Sequence, residues 1–448
     1  MKNKLIIIIW LTFSVFTSAQ IFRPNPNEGF IGGAAGLTWI DNEPYYSVHL
    51  FPEVAFAKFG IGLDLNLDFD KNGKLRYENF NETSDYLSLI RYVRYGQKND
   101  PFYIRLGSLD FATIGHGSIM YLYNNSPSFD SRKIGLEFDI DFDYYGVESV
   151  YSTFAESGII GFRTFTRPLL ATELAEIPII GAFEIGATYS TDFNKNAGVV
   201  EVNYDPIKEE YKSVEDLGAT EIIGFDFSLP LLRTSVVNSD IYYDYAEILN
   251  FGNGRSAGII LDFYGLGLVD IRTKLERRWN GVNYLPAYFN SFYELERFQI
   301  NQLSHSVASK IQTLKNGIKV GDGYYGELLI SVINSFFVFG SYQRYDENPK
   351  SGSLNLRTEI SPQNGLFVAR VGYDKVHIED EKDLFTLDNR SYLFAELGYK
   401  LNPYVLVSMV YNWTFAPVRD GNNNFIRYKP QKKIEPRISF IYPLNFHQ

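Results

Sequence analysis

Few side chains in this sequence are suited to catalysis or to metal binding. Cysteine is absent from the 448 residues, which excludes disulfides, zinc–thiolate sites, iron–sulfur clusters and cysteine nucleophiles. The five histidines are His49, His116, His305, His377 and His447. Their positions share no metal-ligand spacing, so the sequence predicts no zinc centre.

His116 is the histidine in the most unusual local sequence, because a glycine lies on each side of it. Asp110 and Ser118 are close enough in the chain to form a hydrolytic pair with it at one rim of a barrel. The alternative is a loop or bulge in which the glycines let the chain turn and the imidazole binds a neighbour. We favour the loop, and we expect no enzymatic activity.

A possible calcium loop begins at Asp68. Asp68, Asp70 and Asn72 place oxygen ligands at the first, third and fifth positions, and Gly73 follows, as at the start of an EF-hand loop. The twelfth position is Asn79, where a bidentate glutamate is expected. The same residues also fit a plain hairpin tip, since an Asn-Gly pair readily adopts positive φ. Calcium is the only cofactor that the sequence suggests.

Alternation of apolar and polar residues predicts that the rest of the chain forms β-strands. The odd positions from 61 to 69 are apolar, and the even positions between them are glycine, asparagine or aspartate. The even positions from 134 to 142 are apolar, and the odd positions between them are glycine or acidic. Successive side chains of a strand point to opposite faces, so each strand has one apolar and one polar face. The segment 87–95 breaks the alternation, which predicts a β-bulge.

The spacing of turns and aromatic residues indicates a membrane barrel rather than a soluble sandwich. Tyrosine and phenylalanine gather near strand ends, as interface girdles require. Short turns alternate with long polar loops near residues 70–84, 111–131, 191–220, 279–322, 377–388 and 416–431. The predicted fold is therefore all-β: a transmembrane antiparallel up-and-down β-barrel of 16–20 strands, with 20 as the best count and both ends periplasmic.

The loop 279–322 carries a second pattern. Leu303, Val307, Ile311 and Leu314 recur at helical spacing between polar residues. This segment either folds inward and narrows the lumen or forms an ordinary outer loop with a turn or two of helix.

Strand parity predicts which charged side chains face the lumen. The acidic residues of this face are Asp64, Asp68, Glu137, Asp139, Asp141, Asp143, Asp226 and Asp262. The basic residues are Arg105, Arg163, Arg272, Lys274, Arg357 and Arg370. In a wet lumen these charges would set the ion preference of a channel, whereas in a dry lumen they would form salt bridges of a rigid scaffold.

The N-terminal residues 1–19 predict an export signal. Lys2 and Lys4 precede an apolar run that is too short to span a membrane, and Ala19 ends a small-residue cleavage site. The barrel is then expected over residues 20–448. The formal net charge of −11 makes nucleic acid an unsuitable partner, since phosphate must be neutralised by basic groups.

These features together resemble outer-membrane β-barrel proteins of Gram-negative bacteria. The export signal, the carboxylate faces, the Asn/Asp-rich loops and the closing aromatic strand at 438–442 carry the resemblance, and their style is similar to porin-like barrels of Bacteroidota. The resemblance implies an outer-membrane location and a passive channel for small hydrophilic solutes, with membrane lipid and possible envelope proteins as partners. The alternatives are a non-conducting structural or partner-binding barrel and, third, a hydrophobic-compound transporter or a hydrolase at the barrel rim.

Overall fold

The computed structural model describes residues 28–445, except 77–79, 81–85, 87–88, 99, 129–131, 178, 333–335 and 362–364. The predicted signal at 1–19 and the histidine at 447 lie outside the described residues. Among the described residues, none of the helices has the length and apolar character needed to cross a bilayer.

Within the described residues, twenty strands form one closed antiparallel barrel. They are β1 (Glu28–Ile40), β2 (Glu43–Leu50 and Glu53–Phe56), β3 (Phe59–Leu63 and Leu65–Phe69), β4 (Ile90–Tyr95), β5 (Phe102–Gly107), β6 (Gly135–Asp141), β7 (Tyr145–Tyr151), β8 (Ile159–Thr166), β9 (Glu184–Asp192), β10 (Thr220–Arg233), β11 (Val237–Ile248), β12 (Gly252–Leu266), β13 (Val269–Asn280), β14 (Gly323–Val332), β15 (Phe336–Tyr345), β16 (Asn348–Ile360), β17 (Phe367–Ile378), β18 (Ser391–Asn402), β19 (Val405–Arg419) and β20 (Phe425–Asn445). Each strand pairs with its neighbours in the chain, and β1 closes the sheet against β20. The all-β barrel prediction and the count of 20 are confirmed.

The two faces of the wall follow the predicted alternation. In β8, Ile160 and Phe162 are exposed on the outer surface, whereas Ile159 and Arg163 are buried inside. An apolar outer face and a charged inner face are the reverse of a soluble barrel's arrangement. They suit a wall that has hydrocarbon outside and polar groups within.

The bulge predicted at 87–95 is confirmed. The register between β3 and β4 shifts so that Gly62 pairs with Tyr92 and Leu63 pairs with Ile90. Arg91 is the extra residue, and its guanidinium reaches the buried carboxylate of Glu53 in β2.

The connections differ between the two rims of the barrel. One rim, which also holds both ends of the described chain, has mainly short turns, such as 142–144 and 403–404. Its longest connection, 167–183, contains the 3₁₀ turns Pro168–Ala171, Glu173–Glu176 and Ile180–Ala182. The other rim, called the outer rim here, carries the long connections 70–89, 108–134, 193–219 and 281–322.

The outer-rim connections contain structure of their own. The hairpin of Val199–Asp205 and Glu210–Asp216 belongs to one connection, and the hairpin of Gln299–Asn301 and Ser306–Ala308 belongs to another. Short helices at Tyr293–Glu296 and Lys310–Lys315 flank the second hairpin.

Candidate functional site

The connection 108–134, called the plug segment here, crosses the barrel lumen. The backbone N–H of Gly115 donates to Glu148 Oε2 of β7 at 2.7 Å. Farther along, the Pro127 carbonyl accepts from Thr414 Oγ1 of β19 at 2.8 Å. Because β7 and β19 lie on nearly opposite sides of a twenty-stranded ring, the plug segment is tied to both walls.

Glycine is required where the plug segment meets the wall. Gly115 and Gly117 have backbone φ angles of 56° and 95°, which residues other than glycine rarely adopt. A Cβ at Gly115 would also lie 3.0 Å from Arg163 Cδ. The predicted loop at this sequence is therefore present, and it presents His116 to the barrel wall.

His116 is held between an aromatic ring and two carboxylates of the wall. Its ring stacks on Tyr242 with centroids 4.2 Å apart, and its Nδ1 lies 2.8 Å from Asp244 Oδ1 and 3.9 Å from Asp226 Oδ1. Its carbonyl accepts from Lys274 Nζ at 2.6 Å. Burial lowers the pKa of His116, but the charge and hydrogen bond of Asp244 outweigh burial and raise this pKa above its usual value.

Arg163 is the centre of the largest ion-pair group beside the plug segment. Its side chain is only 3% exposed. It contacts Glu148 at 2.9 Å and Glu184 at 2.8 Å, and it binds both oxygens of Asp226 at 2.9 and 2.5 Å. The three carboxylates compensate the buried charge of Arg163. Arg163 in turn lowers the cost of burying these carboxylates.

Among the described residues, His116, Asp226 and Asp244 form the one group whose ligand atoms could converge on a metal, all within 4.8 Å. Arg163 already engages both oxygens of Asp226, and the Lys274 ammonium donates to the backbone carbonyl of His116. The two cations make the surroundings unfavourable for a third positive charge. The arrangement therefore favours a salt-bridge network over a metal centre.

The structure does not form the hydrolytic pair that His116 could have made. Ser118 Oγ donates to Asp244 Oδ2 at 2.5 Å, and Asp110 pairs with Arg105 at 3.2 Å. Asp244 thus binds both candidate partners, and no hydrogen bond between serine and imidazole is formed among them.

The sequence contains a Gly-x-Ser-x-Gly motif at 254–258, a signal for a hydrolase nucleophile that the expectation of no enzymatic activity overlooked. In hydrolases that motif needs a sharp turn from a strand into a helix. Ser256 instead lies within β12, 4% exposed, with its hydroxyl 3.2 Å from that of Ser118. The required context is absent from this part of the structure, and Ser256 helps to anchor the plug segment.

The connection 281–322, called the cap segment here, packs on the plug segment through apolar side chains. Their shared cluster also includes apolar residues of the inner wall. Its buried members are Leu109, Ala112, Ile114, Ile119, Met120, Tyr123, Val150, Ile159, Val200, Ile222, Ala246, Ile248, Tyr284, Tyr288, Phe289, Tyr293, Ile311 and Leu314. A hydrophobic core of this kind inside a lumen excludes water from the space that it fills.

A buried ion-pair group joins the cap segment, the plug segment and the wall. Arg297 Nε contacts Asp192 of β9 at 2.6 Å, and the same guanidinium binds Glu294 at 2.8 Å. Lys133 and Tyr123 of the plug segment bind Glu294 at 2.8 and 2.6 Å. Burial raises the pKa of Glu294, but Arg297 and Lys133 outweigh it, so this pKa lies below its usual value.

The four apolar residues predicted at helical spacing in the cap segment do not all behave alike. Two of them fit the inward-folding alternative, and the other two lie at the outer rim. Ile311 and Leu314 lie on the helix Lys310–Lys315 and enter the shared core, as the inward alternative requires. Val307 is buried in a separate cluster at the outer rim. Leu303 is 96% exposed at a hairpin tip, so the four residues do not share one helix.

Two predicted lumen acids share one loop cation. Glu137 and Asp139 of β6 each lie 2.9 Å from Lys98 Nζ, which comes from the turn 96–101. Burial lowers the pKa of Lys98, but the carboxylates, led by Glu137, raise it well above its usual value. The two acids thus share a single cation and do not form an open row.

The predicted row of four acids ends early. Asp141, the last residue of β6, binds Arg167 at 2.9 Å. Asp143 does not face the lumen: it lies in the exposed turn after β6 with φ of 65°. Parity does not extend past the end of a strand, which explains the wrong assignment.

The remaining predicted lumen charges also lie in ion pairs. Asp64 binds His49 at 2.5 Å and also Arg132 of the plug segment, and Asp262 lies 3.4 Å from Arg272. The other predicted bases pair as follows: Arg105 with Asp110, Arg357 with Asp374 at 2.5 Å, and Arg370 with Glu396 at 2.8 Å. Most of these pairs join nearby segments, so each of these charges meets its counter-charge locally.

The candidate calcium residues do not point to a common centre. The carboxylate of Asp68 is buried and binds Ser47 and Asn66 inside the barrel. Asp70 Oδ1 accepts from the backbone N–H groups of Asn72 and Lys74 at 2.8 and 2.9 Å, which closes the hairpin tip. These bonds, led by the one from Lys74, lower the pKa of Asp70. Calcium binding stays a prediction.

Comparison with known proteins gives no family. No family model matches the chain, and no curated protein matches it. Among solved structures, it is similar to Wzi of Escherichia coli, an outer-membrane protein involved in group 1 capsule assembly and a carbohydrate-binding β-barrel. That match has 11% identity and a TM-score of 0.35, and it covers 94% of this chain and 85% of that chain.

Two further solved structures match the chain over a similar length. A mutant Rh. blastica porin has 10% identity and a TM-score of 0.28, over 93% of this chain and 99% of that chain. OccAB2 of Acinetobacter baumannii has 10% identity and a TM-score of 0.30, over 94% and 98%. At these values the likeness carries no argument about function, and the barrel assignment rests on the closed sheet itself.

Proposed function

We propose that this chain is an outer-membrane β-barrel that acts as a passive, porin-like channel for small hydrophilic solutes. The apolar outer face of the wall and its exposed rim aromatics, such as Tyr144, Tyr145 and Tyr404, support the membrane location. A bacterial source of the Bacteroidota style and export through the signal at 1–19 remain part of this proposal.

The plug segment is the feature that carries the channel hypothesis. It narrows a charged lumen and is held at Asp244 and Glu148 by hydrogen bonds, not by a covalent link. Charged walls at a constriction select small polar solutes and ions by attraction and desolvation. We therefore place the constriction at the plug segment, and we expect passage to require its displacement from the β11–β12 wall.

A reversible tether of the plug segment tests this proposal. The hydroxyls of Ser118 and Ser256 are 3.2 Å apart, so cysteines at both positions are close enough for a disulfide, and the chain offers no other thiol. We expect the reduced Ser118→Cys, Ser256→Cys barrel to conduct in planar bilayers, and we expect oxidation to silence it. Each single cysteine variant is the control, since it cannot form the tether.

The tether experiment also separates the channel from its main alternative. The apolar core shared by the plug and cap segments favours a non-conducting structural or partner-binding barrel, because such a core resists opening. A barrel that stays silent when reduced supports this alternative. Conductance that oxidation leaves unchanged would place the pathway beside a fixed plug segment and refute the displacement.

Three smaller hypotheses from the sequence remain. A hydrophobic-compound transporter and a rim hydrolase gain no contact in their favour among the described residues. Calcium at Asp68, Asp70 and Asn72 is tested by limited proteolysis: calcium should protect the following loop in wild type but not in Asp70→Ala. Equal cleavage with and without calcium would exclude this site.

A further inference from the structure

A row of cationic and aromatic side chains lies on the outside of the barrel, near the outer rim. Arg277 of β13 pairs across the sheet with Tyr324 of β14, and Tyr324 pairs with Arg344 of β15. The residues next to them in sequence, including Glu276 and Tyr345, are buried inside, so the row faces outward. Two guanidiniums therefore flank one exposed tyrosine.

A groove opens directly below this row. The next outward row is Leu275, Gly326 and Tyr342, in which the glycine leaves a gap between two large side chains. These residues and the arginines line a cleft of about 760 Å³. The cleft thus has two guanidiniums and the carboxylate of Asp346 at its upper edge and apolar side chains at its base.

The rows farther down the wall place the cleft at the edge of an apolar band. Going down β13, the outward residues are Leu275, Thr273, Ile271 and Val269, and they pair with Gly326, Leu328, Ile330 and Val332 of β14. Four two-residue steps along strands tilted by about 40° span about 20 Å, close to the height of a lipid-facing band. The arginine row therefore lies where lipid head groups begin.

Both guanidiniums retain capacity to bind an anion. Arg277 stacks 4.3 Å from the Tyr324 ring and contacts Asp322 and Asp346 at 3.5 and 3.3 Å, longer than the 2.7–2.9 Å typical of charge-assisted hydrogen bonds. Arg344 donates to two backbone carbonyls, and among the described residues it makes no ion pair. Guanidinium groups match phosphate oxygens in geometry as well as in charge.

We propose that this cleft binds a phosphorylated membrane lipid, with the phosphate between Arg277 and Arg344 and an acyl chain over Gly326. The inference rests on the proposed membrane location, but it does not require the barrel to conduct. The cleft combines an anion site with an apolar groove at one membrane boundary. A free anion would use only the upper part of such a cleft, whereas a phosphorylated lipid uses both parts.

Native mass spectrometry of the refolded barrel in detergent tests the lipid. Three probes are compared: dioctanoyl phosphatidic acid, dioctanoylglycerol without phosphate, and inorganic phosphate alone. We expect the phosphatidic acid to bind at least about tenfold more tightly than either other probe, since each lacks half of the contacts. Equal binding of dioctanoylglycerol would overturn phosphate recognition, and equal binding of inorganic phosphate would overturn the lipid.

Two variants test the arginine edge and the apolar base of the cleft separately. Arg277→Gln with Arg344→Gln should weaken binding of phosphatidic acid by about 10- to 100-fold. Gly326→Leu should weaken it by about tenfold while both arginines remain. The glycine change fits the wall, since a Cβ there meets only Leu275 Cδ2, at 3.5 Å.

The control removes two exposed arginines that do not line the cleft, through Arg233→Gln with Arg255→Gln. Binding should then equal that of wild type. A similar loss in the control and the cleft variant would mean non-specific attraction and refute the site, as would unchanged binding in a folded cleft variant. A barrel that binds phosphatidic acid selectively but does not conduct would refute the channel and leave this site in place.

Discussion

Replacing Arg163 by methionine tests whether the lumen network holds the barrel together. The change keeps most of the side-chain volume and removes the charge. Glu184 keeps Arg167 at 2.9 Å, and Glu148 keeps the N–H of the plug segment. Asp226 loses both of its close bonds and, within the described part of the chain, retains only His116 at 3.9 Å, with its side chain 7% exposed.

Stranding one buried carboxylate typically costs about 3–5 kcal/mol, and we expect Arg163→Met to lower the free energy of unfolding by this amount. Urea unfolding in detergent micelles, followed by the heat-modifiable gel shift, measures the change. Arg233→Met is the control, because Arg233 is 52% exposed in its pair with Asp240, and such pairs contribute about 1 kcal/mol or less.

A double variant distinguishes a charge effect from a packing effect. Adding Asp226→Asn to Arg163→Met removes the stranded charge and should restore part of the lost stability, which gives a measurable coupling energy. A loss below about 1 kcal/mol in Arg163→Met, equal to that of Arg233→Met, would refute the reasoning and mean that water screens these charges.

Three further predictions concern pH, lumen charge and export. Because the pKa of His116 in the folded barrel is raised above 6.5, its bond to Asp244 stabilises fully below pH 6.5 and is lost as the pH rises through the folded-state value. The gap in unfolding free energy between wild type and His116→Gln, about 1.5–3 kcal/mol at low pH, should therefore shrink by pH 9, and a constant gap would contradict the assignment. Asp139→Asn with Asp141→Asn leaves each paired cation one remaining carboxylate, so we expect the free energy of unfolding, followed by the gel shift, to fall by about 1–3 kcal/mol. We also expect a weaker preference for cations in reversal-potential measurements. No change in either measurement would mean that these acids neither stabilise the barrel nor set its ion preference. N-terminal sequencing of protein from the outer membrane should begin at Gln20, and recovery from the soluble fraction without detergent would refute the membrane location.

The fold was largely predictable because alternation repeats along almost every strand. The alternating segments at 61–69 and 134–142 correspond to β3 and β6. The bulge at Arg91 was also visible as a break in parity. Alternation with a period of two can be recognised from a short stretch of sequence. Because each strand pairs with its neighbours in the chain, the pairing of β1 with β20 is the one long-range pairing that the barrel requires.

Of the residues that form the site, the sequence could predict only those that lie on strands. Parity places Glu137 and Asp64 inward, but their partners are Lys98 and Arg132, which lie in connections without periodicity. The contact of His116 with Asp244 joins residues 128 positions apart, and no local pattern encodes it. Asp244 itself was within reach of the parity rule and was missed.

The seam between β1 and β20 has a consequence for how the barrel assembles. Every other strand pair joins chain neighbours, whereas Ile40 must meet Lys433 across nearly the whole chain. Closing a flexible loop of about 400 residues costs about 5 kcal/mol of chain entropy, so we expect the chain to complete the seam last. With 21 residues, β20 is the longest strand described, and its hydrogen bonds to β1 are the gain that offsets this entropy. Shortening β20 should therefore slow closure more than it weakens the finished wall.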